Sequence, residues 1–371
     1  MADDELHEKV CNFYWDIFNV PQLEALSPNA ENPNAIQYAS FALSILACCI
    51  GLVGNAIVIA ATIFLMDNCK SRIWFLNMAI ADFTFMLFLP FNAVYVMKTN
   101  WSFGSYACRF YHFLTFVNMY ASIYLIIALN IDRALSVAKP MWHLKFLSKR
   151  ICYSVCFLIW LMSTCCSIPV LIYSDEHKYG ENMQCLLFSG DVTSIAYVNS
   201  GNSSLREGFR DLDREDCKVL FNDTSGFDSW CRMSSTTTNL FILLHVIGYF
   251  IPLCVILVTN LVIIVKVKNS QTPSTSRLYR VVIAAIIAFF LTRTPLVLAQ
   301  VIFLASVNVM EYTIMYKVIL FSPLLSSIAA VNSCLNPIIY VLLGKQVRTQ
   351  IWSTLKEIRS ATSSSKLVGN K

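Results

Sequence analysis

Charge is scarce in this chain: Asp, Glu, Lys and Arg make up 14% of its 371 residues, whereas 56% are hydrophobic. Amphipathic striping is scarce as well. The apolar residues come in long runs, which argues against one large soluble core and points to a bilayer. The five histidines, His7, His112, His143, His177 and His245, form no HExxH or comparable metal-ligand spacing, so an enzyme is not expected. No internal repeat or pair of broken helices marks a transporter or channel. No charged-then-apolar leader with a small-residue cleavage site precedes residue 38, and the first apolar run is expected to serve as the insertion signal. No cofactor and no nucleic-acid partner is expected.

What is present is a set of seven apolar runs, near 38–66, 72–97, 106–138, 150–173, 237–267, 279–306 and 313–343. A hydrocarbon core of about 30 Å takes roughly 20 helical residues to cross. The expected fold class is all-α, a seven-transmembrane helix bundle over 38–343 embedded in the lipid bilayer. Residues 1–37, with Pro21, Pro28 and Pro33 among acids and amides, read as an extracellular arm. Residues 344–371 form a helix 8 and a cytoplasmic tail. There Val347, Ile351, Leu355 and Ile358 recur at helical spacing between Lys345, Arg348, Lys356 and Arg359, as in an interfacial amphipathic helix. No cysteine follows them up to residue 371, so a palmitoyl anchor is not expected there.

Basic residues set the orientation. Lys70 and Arg72 follow the first run, Lys139, Lys145, Lys149 and Arg150 separate the third from the fourth, and Lys266, Lys268, Arg277 and Arg280 the fifth from the sixth. Loops of that kind stay in the cytoplasm, which places the N-terminus outside and the chain in the plasma membrane as a multi-pass protein. The opposite face is acidic, with Asp3, Asp4, Glu5, Glu8, Asp16, Glu24 and Glu31 before the first run. The segment 174–236 is too long for a helix connector; it is either a ligand-facing cap or a disordered glycosylated insertion. Asn202 and Asn222 within it satisfy the glycosylation sequon. Asn100 matches too, but lies so near the membrane that modification is not expected. Cys11, Cys108, Cys185, Cys217 and Cys231 should face the oxidising exterior, where five is an odd number to pair.

Polar residues inside the runs are costly in lipid and mark function. Asn55 lies in the first, Asp82 in the second, Asp132 and Arg133 at the inner end of the third, Pro252 in the fifth, Pro295 in the sixth, and Asn332, Asn336, Pro337 and Tyr340 in the seventh. With this ordered set, the chain resembles the rhodopsin-like (class A) G-protein-coupled receptors over about 38–358. The wording around Asp82, Leu89, Trp101 to Cys108, Ala288 and Asn332 is similar to the chemoattractant branch, which includes formyl-peptide, anaphylatoxin, chemerin and second prostaglandin D2 receptors.

The resemblance carries several implications. Cys108 and Cys185 would form the disulfide that ties the outer loop to the third helix. Arg133 would be latched by Asp132 and released to receive a heterotrimeric G protein, mainly of the inhibitory class, with arrestin as a further partner. Asp82 would hold a sodium ion with Ser122, Asn332 and Ser333, the alternative being a water-bridged structural carboxylate; no other metal is implied. The ligand would be an extracellular peptide or lipid mediator of chemotaxis, against a cavity lined by Thr115, Phe116, Met119, Leu244, Leu296, Gln300 and Ser326. No aspartate faces the outer half of the third run, so an amine ligand is not expected.

Two positions depart from the pattern. Arg293 stands where the family has a tryptophan two residues before the sixth-span proline. An unpaired guanidinium is expensive in low dielectric, and its partner is expected to be either Asp82, in place of sodium, or a ligand carboxylate. Asn260 stands where the family has the tyrosine that meets Tyr340 on activation. Both departures motivate an alternative function, an atypical or decoy receptor that binds or scavenges ligand with weak or no G-protein signalling.

Overall fold

The computed structural model describes residues 33–65, 70–179, 182–187, 238–268, 276–309 and 311–343. Among them are seven helices long and apolar enough to cross a membrane. The first runs Ala35–Ala60 and continues as a π-helical turn, Ala61–Leu65. Its start is set by a capping box: Asn34 Oδ1 accepts from Gln37 N at 2.9 Å and Gln37 Oε1 accepts from Asn34 N at 2.8 Å. The helix therefore begins three residues before the apolar run suggests, because the cap and not hydropathy ends the extended chain. The second span is Lys70–Lys98, the third Ser105–Ala138 and the fourth Lys149–Tyr173, with a short helix Pro140–Phe146 between the last two. The fifth is α-helical over 238–245, π-helical at Val246–Phe250 and α-helical again at Ile251–Lys268. The sixth is Ser276–Val309 and the seventh Tyr312–Leu343.

The third span is the axis of the bundle. Its 34 residues extend about 51 Å at 1.5 Å each, and it packs against the second, fourth, fifth and sixth spans. Tyr120, Ile123, Leu125, Ile126 and Leu129 are buried along it. Large apolar side chains on the fourth and fifth spans, including Phe157, Leu161, Leu257, Val258 and Leu261, point outward. An exposed apolar belt of this kind suits lipid.

Prolines break the backbone ladder, and neighbouring spans repair it. Pro90 has no N–H for the carbonyl of Met86, one turn back; the Cys48 thiol donates to that oxygen at 3.4 Å. Pro337 leaves the carbonyl of Ser333 open in the same way, and Asn55 Nδ2 donates to it at 3.0 Å. In the π-helical register of the fifth span, Ile251 N–H bonds to Val246 O. Pro252 would then face the carbonyl of Ile247, to which the Tyr124 hydroxyl donates at 2.9 Å. Close approach makes these repairs reachable. A Cβ on Gly54 would lie 3.0 Å from Pro337 Cβ, and one on Gly248 would lie 2.6 Å from Tyr120 Cε1.

On the side expected to face outward, a hairpin follows the fourth span, with β1 Asp175–Tyr179 antiparallel to β2 Asn182–Leu186 and Glu176 opposite Cys185. The segment 174–236 thus begins with paired backbone. The rest of that segment, Asn202, Asn222, Cys217 and Cys231, together with Cys11 and the arm before residue 33, lie outside the described residues. So do residues 344–371, over which an amphipathic helix 8 and a tail were expected.

Candidate functional site

The disulfide Cys108–Cys185, with Cα atoms 5.5 Å apart, joins β2 to the outer end of the third span. Trp101 N donates to Met183 O at 2.8 Å, and Met183 N donates to Asn100 Oδ1 at 2.8 Å. The Asn100 side chain is thus engaged in holding the hairpin. Outside the disulfide, Asp175 is bound by the Ser105 hydroxyl and the Arg109 guanidinium. Arg109 holds the Asp175 carboxyl down to about 2, well below the usual carboxylate range.

At mid-bundle Asp82 is completely buried, with 0% of its surface exposed. Its Oδ2 accepts from Asn336 Nδ2 at 2.8 Å, and its Oδ1 accepts from Asn118 Nδ2 and Ser122 Oγ, each at 3.2 Å. Ser333 Oγ extends the cluster to Asn118 Oδ1 at 3.5 Å. Asn55 Nδ2 donates to Gly51 O within its own helix and to Ser333 O, and the second bond joins the first span to the seventh. Asn332, expected beside Asp82, is buried but neither end of its amide has a partner among the described residues. Asn336 takes that place because it lies one helical turn further in, at the carboxylate's level. Asn118, absent from the expected set, supplies the remaining amide.

At the inner end of the third span, Arg133 pairs with Asp132 Oδ2. The second oxygen, Oδ1, is 2.9 Å from His143 Nε2 on the short helix Pro140–Phe146. His143 was not among the expected switch residues. Asn260 Nδ2 donates to Ile256 O at 2.8 Å within its own helix. The expected approach of Asn260 to the Tyr340 side chain lies outside the described residues, although residue 340 continues the seventh helix.

On the outer half, Thr115 Oγ1 donates to Tyr111 O at 2.8 Å. Phe116 and Leu244 pack together with Tyr120 and Val170, and Met119 lies against them. Leu244 is 2% exposed, which makes it part of the packed interior between the third, fourth and fifth spans. The polar group of the fifth span is its neighbour His245, whose Nε2 is 2.8 Å from Gln300 Oε1 and whose Nδ1 is 2.7 Å from Phe241 O. Leu296 and Ser326 are half-buried.

Arg293 is 5% exposed. It lies on an inward stripe with Phe289 and Val297, while Leu291, 70% exposed, and Leu298 face outward. Its charge is felt by Asp82 and Tyr111. No ion pair with Asp82 forms, however, and Nε has no partner among the described residues. The expected replacement of sodium by a direct Arg293–Asp82 pair is therefore corrected to attraction at longer range. Three neutral donors already occupy the carboxylate.

The profile of the 7 transmembrane receptor (rhodopsin family) matches residues 54–201 and 216–340. The chain belongs to the rhodopsin family of seven-transmembrane receptors. Chemerin-like receptor 1 of Sus scrofa is 30% identical to this rhodopsin-family receptor over 304 residues, 81% of this chain and 76% of its own. Chemerin-like receptor 2 of Homo sapiens is 27% identical over 362 residues, covering 97% and 91% of the two chains. N-formyl peptide receptor 3 of Gorilla gorilla gorilla is 29% identical over 316 residues, 82% of this chain and 80% of its own. The receptor thus stands in the chemoattractant branch, spans the membrane several times, and is not an enzyme.

Proposed function

We infer that this protein is a cell-surface receptor, its N-terminus outside, that binds a chemoattractant-type ligand, a peptide or lipid mediator, and signals through inhibitory G proteins. The observation that carries this reading is the latch at the inner rim, Arg133 held by Asp132, which is itself held by His143. A fixed cation tied beside the cytoplasmic opening is a two-state element: the ligand binds the released state more tightly and shifts the population toward it. The basic inner loops support the orientation, and the similarity to chemerin-like and N-formyl peptide receptors supports the ligand class. Arrestin is expected at the same inner face.

The test is to challenge cells expressing the receptor with chemerin and with N-formyl peptides. Dissociation of the inhibitory G protein is measured beside ligand uptake. Dissociation that disappears in Arg133→Ala is the expected result. Uptake without dissociation would establish the decoy reading, which the departures at Arg293 and Asn260 favour.

A further inference from the structure

We propose that Arg293 is the anchor for an anionic ligand head, a carboxylate, so that the ligand is an amphiphilic acid lying with its apolar body against Phe116, Met119 and Leu296. The inference deepens the receptor reading and rests on it for the side from which ligand enters.

Arg293 points into the bundle, because its own stripe is buried while residues on the other side of the same helix face outward. A guanidinium offers five N–H donors in a planar fork that matches a carboxylate. At this depth its Nε has no hydrogen-bond partner among the described residues. The described carboxylates are Asp82, Asp132, Asp175, Glu176 and Glu311. Asp82 accepts hydrogen bonds from Asn118, Ser122 and Asn336. Asp132 is bound at the inner rim by Arg133 and His143, and Asp175 outside by Arg109 and Ser105. Glu176 sits on the outer hairpin and Glu311 is exposed beyond the sixth span. None of the five bonds to Arg293.

The surroundings decide what else the ligand must be. Leu296 follows Arg293 by three residues and Gln300 by seven, so they continue the stripe toward the outer face. On the third span, Phe116 packs with Tyr120, Val170 and Leu244, and Met119 lies against that cluster. Two polar pairs link the fifth and sixth spans here, His245 with Gln300 and Tyr249 with Thr294, and both are neutral side-chain contacts already made within the protein. An apolar wall with a single buried cation at its floor suits a hydrocarbon-like body with one anionic end. A free amine would meet the charge of Arg293, and an uncharged end would leave the fork unfilled.

The test uses wild-type receptor in lipid nanodiscs. Binding is followed by thermal shift for straight-chain acids of about 12 to 20 carbons beside their methyl esters, and for hydrophobic tetrapeptides with free and with amidated C-termini; this chain range matches roughly half the bilayer core. The expected result is that at least one free acid binds on the order of 30-fold more tightly than its uncharged counterpart. Arg293→Gln should abolish the difference and Arg293→Lys retain part of it. Preference confined to the fatty acids identifies a lipid source, and preference confined to the peptides a C-terminal carboxylate; either supports the site. No binding of any acid, equal binding of acids and uncharged partners, or an acid preference surviving in Arg293→Gln would each overturn it. If Arg293→Gln does not fold, the acid-against-ester comparison in wild type and Arg293→Lys still decides. Because G protein is absent from this measurement, failure of the G-protein dissociation test would remove the signalling reading while acid binding here leaves the site standing.

Discussion

Asp82 and Arg293 are both buried, lie within electrostatic reach of one another, and carry opposite charges, yet the protein treats them differently. Asp82 is surrounded by neutral donors from three sequence positions on two other spans, all within 3.2 Å. Arg293 has only attraction at a distance. A charge at mid-bilayer is costly wherever it sits, so depth does not separate a structural ion from one kept for a partner. Saturation does: the carboxylate is built into the second, third and seventh spans, while the guanidinium is held ready on the sixth.

This contrast is most severely tested by removing each charge in turn. Asp82→Ala would strand the amides of Asn118 and Asn336 and the Ser122 hydroxyl, and would take from Arg293 its nearest counter-charge. We expect a loss of about 3–5 kcal/mol in unfolding stability, measured by denaturation in nanodiscs. A loss below about 1 kcal/mol, the scale of a surface pair, would show that the donors do not hold the carboxylate. Arg293→Met should act in the opposite direction, because a thioether fills similar volume without a buried charge. A gain of roughly 1–3 kcal/mol is expected. Destabilisation of similar size would mean that the guanidinium has a firm partner within the chain.

Sodium offers a finer probe of the same pair. A guanidinium near Asp82 repels a second cation at ranges where low dielectric preserves the interaction, and three donors already occupy the carboxylate. Replacing sodium with choline at constant ionic strength should leave the thermal midpoint and agonist affinity of the wild type unchanged, and sodium dependence should emerge in Arg293→Met. An ordinary sodium effect in the wild type would remove the electrostatic side of the comparison.

The bundle was legible because span length and apolar runs follow from bilayer thickness, and the family resemblance pointed to the disulfide between Cys108, in the first turn of the third span, and Cys185, beyond the fourth. Less of the site could be read. Asn118 precedes Ser122 by one turn, so its position on the Asp82-facing stripe was available from periodicity alone. Asn332 and Asn336 share a face four residues apart, and spacing does not say which of them stands level with the carboxylate; packing of the first span at Gly54 and Pro337 decides it. His143 is eleven residues from Asp132, and reaches it only because Pro140 starts a helix in the intervening loop. The π-helical turn at Val246–Phe250 has no periodic signature. Only Pro252, Gly248 and the two tyrosines one turn apart on the third span point to it, and the link is clear once Tyr124 is seen at the Ile247 carbonyl.

The smallest expected effect comes from a third charge, one that water can reach. Asp175 is saturated as Asp82 is, but by a guanidinium and a hydroxyl at the outer surface, and both members of its ion pair are partly exposed. Its carboxyl is held at about 2, below the unfolded value of about 3.9. The pair therefore contributes fully above about pH 4, and the contribution is lost as the pH falls toward 2. Solvent screening keeps the size modest. In detergent micelles, the thermal midpoint of the wild type should fall across that window by slightly more than the midpoint of Asp175→Asn, and the two should run parallel above pH 5. Identical profiles would mean that the ion pair contributes nothing measurable, and that the disulfide and the backbone bonds from Trp101 and Met183 hold the hairpin without it.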